Sequence, residues 1–205
     1  MVKYFFGLPG SGKTTVMTKL AKQAVRSKRY KNVYGNVHLT IPGYTYIDND
    51  CIGRYELVDG LILIDEATLF ADSRDYKTFG KQRTEFFMLH RHDNVDIILF
   101  SQSWDAVDKK IRTITDRVYY IFKPAFLGHW FTKYYRIPYD IIIPDPKKNQ
   151  QSLGEIIQGY CKPNFFQRLI TSKTIFRPLY YKYFDSWERT PRPELPDIYQ
   201  PYAAE

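Results

Sequence analysis

Apolar positions cluster into short runs that predict buried strands. Three such runs occupy residues 2–8, 60–70 and 95–103, and each of the last two contains four consecutive apolar residues. Between the first two runs, residues 13–28 carry apolar side chains at helical spacing, with lysines and an arginine on the other face. Continuous apolar strands are typical of parallel sheets, which helices cover on both faces.

This alternation continues along the chain. The pattern predicts further strands at residues 32–39 and 116–124, and helices at residues 80–91 and 104–114. Strands that alternate with helices predict an α/β fold with a mostly parallel sheet between helices.

The character of the sequence changes towards its C-terminal third. Residues 126–144 are aromatic and strand-like, whereas prolines, basic residues and tyrosines dominate from residue 145 onwards. Prolines at positions 191, 193, 196 and 201 exclude a helix interior or a central strand there. We therefore expect a core over residues 1–144 and an irregular basic, aromatic and proline-rich extension over residues 145–205.

A glycine-rich segment follows the first predicted strand. Residues 7–14 read GLPGSGKT and match G-x-x-x-x-G-K-[ST] at every fixed position. Glycines let backbone N–H groups approach phosphate oxygens, and the following helix adds the positive end of its dipole. We expect Lys13 to reach the β- and γ-phosphates of ATP and the Thr14 hydroxyl to ligate Mg²⁺. The predicted nucleotide-binding residues of this glycine loop are Pro9, Gly10, Ser11, Gly12, Lys13, Thr14 and Thr15.

Two acidic side chains follow the apolar run LILI at residues 61–64. Asp65 emerges at the carboxyl end of this predicted strand, where ligands bind in open α/β sheets. We expect Asp65 to complete the Mg²⁺ shell and Glu66 to activate the attacking water as a general base. An acidic pair at a strand end can instead cap the next helix, but its occurrence together with the glycine loop favours catalysis.

Three further side chains are candidates for contact with the γ-phosphate. Gln102 ends the predicted strand at residues 95–103 and is placed to sense the phosphate or the lytic water. Transition-state charge on the phosphate calls for an arginine, and Arg91 and Arg112 flank the same strand. Either arginine can project into the site of a neighbouring subunit, with Arg91 preferred; the alternative for each is an ordinary solvated cation.

The net charge of +8 is unevenly placed along the chain. Residues 1–108 contain 14 Lys/Arg and 13 Asp/Glu, whereas residues 109–205 contain 16 and 9. A basic C-terminal half indicates an anionic partner, either nucleic acid or a lipid surface, unless it only keeps the protein soluble. The interleaved aromatic residues either pack in the core and at interfaces or stack on unpaired bases. No run reaches the about 18 apolar residues of a membrane-spanning helix.

The order GLPGSGKTT, LILIDEA and HRHDNVDIILFSQSWDAVDKKIR resembles the Zot family of zonula occludens toxin-like and filamentous phage gene I proteins, within the FtsK/HerA group of P-loop ATPases. The resemblance extends over about residues 1–140 and is most specific in the HRH…VDKKIR run. It implies a RecA-like core that assembles into a hexamer-like ring and hydrolyses ATP with Mg²⁺ between subunits. It also implies the roles given above for Lys13, Thr14, Asp65, Glu66 and Gln102, and a trans-acting Arg91 or Arg112.

Members of this family serve phage assembly and extrusion, and relatives in the wider group package viral DNA. We therefore expect a motor whose partners are DNA and virion or membrane assembly proteins, in the host cytoplasm, at a membrane periphery or at a virion vertex. Zot and gene I proteins usually continue into a membrane-spanning helix, for which this sequence has no pattern, so extrusion and genome packaging both stay open. The alternatives are a nucleotide or metabolite kinase and an ATP-gated assembly factor that does not bind DNA.

Overall fold

A computed structural model describes residues 1–67, 81–104, 109–137, 139–142, 157–160, 168 and 170–185. In chain order the strands are β1 (Val2–Phe6), β2 (Asn32–Gly35), β3 (Thr45–Tyr46), β4 (Gly60–Ile64), β5 (Asp96–Ser101), β6 (Arg117–Phe122), β7 (Phe131–Ile137), β8 (Tyr139–Ile142), β9 (Ile157–Tyr160) and β10 (Lys173–Phe176). The helices of the described part are α1 (Lys13–Ser27), α2 (Lys81–Leu89) and α3 (Lys109–Ile114), with single 3₁₀ turns at Asn49–Cys51, Arg177–Leu179 and Tyr181–Tyr183.

An eight-stranded sheet forms the centre of the fold. Its order is β10-β7-β6-β1-β5-β4-β2-β3. The strands from β3 to β6 run parallel, and β7 and β10 join antiparallel at one edge. A separate hairpin pairs β8 with β9. The sheet is therefore mostly parallel, as predicted, and the carboxyl ends of β1, β5 and β4 lie side by side at one edge.

Helices cover both faces of the sheet. Because successive strand residues point to opposite faces, a strand covered on both sides is apolar at every position, as β4 is. The face covered by α1 includes Phe5, Val16, Met17, Leu63 and Phe100. The opposite face, covered by α2 and α3, includes Tyr4, Ile62, Phe87, Leu99 and Ile111.

Several elements are shorter than their sequence patterns. β2 ends at Gly35, where the chain turns so that the Asn36 amide donates to the Leu63 carbonyl at 3.2 Å. The aromatic region predicted as strand-like from residue 126 begins instead with a turn, and β7 starts at Phe131. Of the helix predicted at residues 104–114, residues 105–108 lie outside the described part of the chain.

Part of the segment expected as an extension joins the main sheet. β10 pairs antiparallel with β7, which satisfies backbone groups that an edge strand would leave unpaired. Ile175 is buried in the core, and the Thr40 amide donates to the Tyr183 carbonyl at 2.9 Å. Residues 186–205, which carry the four clustered prolines, lie outside the described residues. Within the described ranges, no helix has both the length and the apolar character needed to cross a bilayer.

Candidate nucleotide-binding site

The glycine loop connects β1 to α1 and exposes the start of that helix. Gly10 and Gly12 have φ values of 71° and 97°, in the left-handed region that favours glycine. The first bond within the helix runs from the Val16 amide to the Gly12 carbonyl, at 3.0 Å. The amides of residues 13–15 therefore have no acceptor within the helix and are available to an anion.

Two side chains of the loop are buried at its centre. The Lys13 ammonium is almost fully buried and donates to the Gly7 carbonyl at 3.2 Å, so it lies across the loop. Ser11 donates its backbone N–H to the Leu8 carbonyl at 3.1 Å, and its hydroxyl is buried without a hydrogen-bond partner. Buried polar groups are normally paired, so this hydroxyl fits a loop whose polar groups bind a ligand.

Thr132 is hydrogen-bonded to the glycine loop, a contact that the sequence did not predict. This buried residue at the start of β7 donates its hydroxyl to the Ser11 carbonyl at 3.1 Å. A Cβ atom at Gly12 would collide with the same hydroxyl, so glycine is required there for close approach as well as for φ. No sequence pattern signals this contact, because its partners are 121 positions apart.

The predicted metal ligands meet at the carboxyl end of β4. The Thr14 hydroxyl donates to Asp65 Oδ2 at 3.4 Å, and the Glu66 amide donates to Asp65 Oδ1 at 2.9 Å. Burial raises the pKa of Asp65 to about 6, although the Glu66 amide and the charge of Lys13 act in the opposite direction. A hydroxyl beside a carboxylate fits Mg²⁺, which prefers oxygen ligands. These two residues are therefore chemically suited to hold it.

Asn36 fixes the backbone of Asp65, and it too was missed. Its Oδ1 accepts the Asp65 N–H at 2.6 Å, while its Nδ2 donates to the Asp65 carbonyl at 2.9 Å. The same Nδ2 donates to Asn49 Oδ1 at 2.9 Å. Asn36 also lines a polar cavity of about 510 Å³ together with residues between 46 and 55. The sequence did not signal this role, because Asn36 falls inside the strand predicted at residues 32–39.

Glu66 and Gln102 form a second pair at this edge. Glu66 has a φ of 49°, a left-handed conformation that is uncommon for residues other than glycine and is enriched at functional sites. Gln102 follows β5, which lies between β1 and β4, and its Nε2 donates to Glu66 Oε1 at 3.4 Å. The amide is thus placed to orient the carboxylate.

Both candidate arginines lie at the opposite edge of the sheet. Arg91 forms an ion pair with Asp116 at 3.2 Å, and Asp116 also accepts the Val2 N–H at 2.7 Å. These contacts mark the amino ends of the parallel strands. Arg112 lies in the last turn of α3, shortly before β6 begins. Strands of five or six residues span about 17–20 Å, so neither arginine reaches the glycine loop of its own subunit.

The structure thus divides the predicted site residues into three groups. The first group converges at the carboxyl edge of the sheet and consists of Lys13, Thr14, Asp65, Glu66 and Gln102. The second group forms the surrounding loop and helix start and consists of Pro9, Gly10, Ser11, Gly12 and Thr15. The third group lies at the amino edge and consists of Arg91 and Arg112.

Comparison with known proteins places this geometry in a family. The sequence model described as Zonular occludens toxin (Zot) matches residues 44–164, more than half of the chain. This chain belongs to the zonular occludens toxin family. The matched region contains the Asp65 and Gln102 strand ends and begins after the glycine loop. No curated protein sequence matches this chain.

Three solved structures are similar to this Zot-family chain. The N-terminal domain of zonular occludens toxin from Neisseria meningitidis aligns over 82% of this chain and 96% of its own, with 20% identity and a TM-score of 0.50. The genome packaging NTPase B204 from Sulfolobus turreted icosahedral virus 2 aligns over 66% and 91%, with 11% identity and a TM-score of 0.48. The flagellar accessory protein FlaH from Methanocaldococcus jannaschii aligns over 66% and 76%, with 12% identity and a TM-score of 0.46. The predicted α/β fold, with a mostly parallel sheet between helices, is confirmed.

Proposed function

We propose that this chain is an ATP-hydrolysing phage motor for genome packaging or for virion assembly and extrusion. One observation carries the proposal: the Thr14 hydroxyl and the Asp65 carboxylate meet beside open helix amides, at the edge of the sheet where ligands bind. The functions expected of the Zot family, phage assembly and extrusion, support the choice of process.

The side chains at the carboxyl edge of the sheet have separate roles in the transfer of the phosphate to water. Lys13 and the amides of residues 13–15 bind the β- and γ-phosphates, and Thr14 and Asp65 hold Mg²⁺. When bound, the metal ion would offset negative charge on the phosphate oxygens. Glu66 accepts a proton from the attacking water, and Gln102 keeps its carboxylate in position.

A ring with ATP between subunits fits the placement of the arginines. In a head-to-tail assembly, one surface of each subunit meets a different surface of the next. Packing the amino edge of one sheet against the carboxyl edge of its neighbour would bring Arg91 or Arg112 towards the γ-phosphate. Such a trans-acting cation typically raises the hydrolysis rate by a factor of about 10³–10⁵.

Two other functions use the same site. A nucleotide or metabolite kinase would transfer the phosphate to an acceptor, for which a water-activating Glu66 is unsuited. An ATP-gated assembly factor would hydrolyse ATP without touching DNA. The surplus of Lys/Arg after residue 108 favours an anionic cargo and therefore the motor.

Phosphate release from ATP and Mg²⁺, measured with and without DNA, tests the proposal. We expect DNA to stimulate release by wild type, a stimulation that weakens with added salt, and no release by Lys13→Ala. Transfer to a nucleoside monophosphate with little free phosphate would establish the kinase instead. Hydrolysis without DNA affinity at low salt would establish the assembly factor.

A further inference from the structure

The half of the sheet beyond β1 is basic and free of acids. Residues 117–137 and 173–184 contain seven Lys/Arg and no Asp/Glu. These two segments build β6, β7, β10 and the last two 3₁₀ turns, so residues distant in sequence bring their cations to the same half of the fold. A surface of this kind attracts anionic partners.

An apolar tip projects from this region. The turn between β6 and β7 carries Phe126, which is 97% exposed, Leu127, which is 48% exposed, and Trp130, which is 55% exposed. We call these three side chains the apolar tip. Leu179 and Tyr181, from the neighbouring 3₁₀ turns, are also exposed. Contiguous exposed apolar side chains mark interaction sites more often than single ones do.

Hydrogen bonds from the C-terminal segment fix the backbone of the turn that carries the apolar tip. Three successive carbonyls of the turn accept hydrogen bonds from the C-terminal segment: Gly128 from Arg177 Nη1 at 2.9 Å, His129 from the Tyr181 hydroxyl at 3.0 Å, and Trp130 from the Arg177 amide at 2.8 Å. The Trp130 ring also stacks on Phe176, with centroids 6.0 Å apart. The apolar side chains are therefore presented to solvent by an ordered turn.

The surroundings of the tip favour a lipid surface as its partner. Exposed Lys123 directly precedes the turn, and its stem lies close to Gly128. Exposed Lys182 follows Tyr181, whose hydroxyl donates to the His129 carbonyl of the turn. The Lys182 ammonium lies 5.2 Å from the centroid of the Tyr183 ring. Proteins bind single-stranded nucleic acids mainly with cations and aromatic rings. An aliphatic side chain such as Leu127 is instead stabilised by transfer from water into an apolar phase. A second copy that docked through this same surface would place the acid-free basic halves of two chains against each other.

We propose that the apolar tip inserts into the interface of an anionic membrane, with Lys123 and Lys182 against the lipid phosphates. Aromatic side chains are favoured at the headgroup level, and each nearby lysine or arginine adds attraction to anionic lipid. Apolar insertion together with cationic attraction supplies the two signals that a stable peripheral attachment requires. The tip lies near the glycine loop, since Thr132, two residues after Trp130, donates to the Ser11 carbonyl, but the proposed membrane binding does not rest on ATP hydrolysis.

Vesicle sedimentation of the purified full chain tests the proposal. We expect binding to phosphatidylcholine vesicles that contain phosphatidylglycerol and little binding to phosphatidylcholine alone. Leu127→Ser and Phe126→Ser should each weaken partitioning about tenfold. The matched control is Leu89→Ser, because Leu89 is 49% exposed at the end of α2, on the other side of the fold. Lys13→Ala should bind vesicles like wild type.

Tryptophan emission provides a second measurement. Insertion should shift the emission to shorter wavelength, and Trp130→Phe should remove the shift while retaining most of the binding. The proposal is wrong if anionic vesicles bind no protein at low salt, or if Leu89→Ser weakens binding as much as Leu127→Ser. It is equally overturned if single-stranded DNA shifts the emission and vesicles do not, or if Leu127→Ser acts only by abolishing self-association seen in light scattering.

Discussion

The carboxamide of Asn36 pairs with both backbone polar groups of Asp65, at 2.6 Å and 2.9 Å. This arrangement ties the end of β2 to the residue expected to hold Mg²⁺. Misplacing a catalytic group by about 1 Å can cost a factor of about 100 in rate, so the backbone of Asp65 has to be fixed as well as its side chain chosen.

Replacing Asn36 by alanine should therefore impair hydrolysis more than nucleotide binding. We expect Asn36→Ala to lower kcat by about tenfold to a hundredfold with a smaller change in ATP affinity, measured by steady-state kinetics and calorimetry. Asn32→Ala is the control, because Asn32 lies on the same strand and donates to the Val58 carbonyl at 3.1 Å, away from the site. Equal losses in the two variants would indicate that Asn36 only stabilises β2.

Glu66 is expected to remove a proton from the attacking water without contributing to the affinity for ATP. Glu66→Gln keeps the size of the side chain and one acceptor oxygen for Gln102, so the variant should bind ATP normally. Its hydrolysis rate should fall by a factor of about 10²–10⁴, as is typical when a general base is lost. Glu56→Gln, the same change at an exposed position, should have no effect. Normal turnover by Glu66→Gln would remove its assignment as the base.

The raised pKa of Asp65 predicts that its charged carboxylate, which the proposed Mg²⁺ site requires, lowers the stability of the folded protein. A folded-state pKa of about 6, above the value of about 3.9 in unfolded chains, means that the folded protein loses stability as pH rises between these values. In EDTA, Asp65→Asn should therefore be more stable than wild type above pH 6, by up to about 3 kcal/mol. The difference should shrink towards pH 4, as measured by urea unfolding.

Exposed Asp48 provides the control for this measurement. Asp48→Asn should leave the free energy of unfolding nearly unchanged over the same pH range. If Asp65→Asn were less stable than wild type at pH 8, the hydrogen bonds to its carboxylate would outweigh the cost of burying it.

The two glycines of the loop should differ in their response to alanine. Both have positive φ, which costs about 1 kcal/mol for other residues. A methyl group at Gly10 meets nothing within 4 Å, whereas one at Gly12 collides with Thr132. We expect Gly12→Ala to abolish ATP binding and lower Tm by more than Gly10→Ala does. Adding Thr132→Ala should restore part of the loss, and full additivity would show that the collision is not its cause.

Subunit mixing decides between the candidate arginines. If Arg91 acts in the site of a neighbour, inactive Lys13→Ala and Arg91→Ala proteins should recover activity when mixed, because some interfaces then combine an intact loop with an intact arginine. The same mixture with Arg112→Ala is the comparison. Recovery with Arg112→Ala alone would assign the role to Arg112, and no recovery with either would argue against a shared site.

The sequence by itself determined the local chemistry of this protein. A glycine loop, an acidic strand end and continuous apolar runs depend on neighbouring residues, because backbone conformation, helix capping and strand burial are set over a few positions. The patterns therefore predicted β1, α1, β4 and β5. They also predicted the candidate site residues that follow these strands, of which Lys13 is the first in the sequence and Gln102 the last.

Only the tertiary structure decided which of these residues meet. The insertion of β5 between β1 and β4, the hold of Asn36 on Asp65, and the contact of Thr132 with the glycine loop all join residues far apart in the chain. So does the pairing of β10 with β7, which brought part of the expected extension into the sheet. Strand order and long-range contacts depend on how whole faces pack together, and that free energy is distributed over many residues, so no local pattern records it.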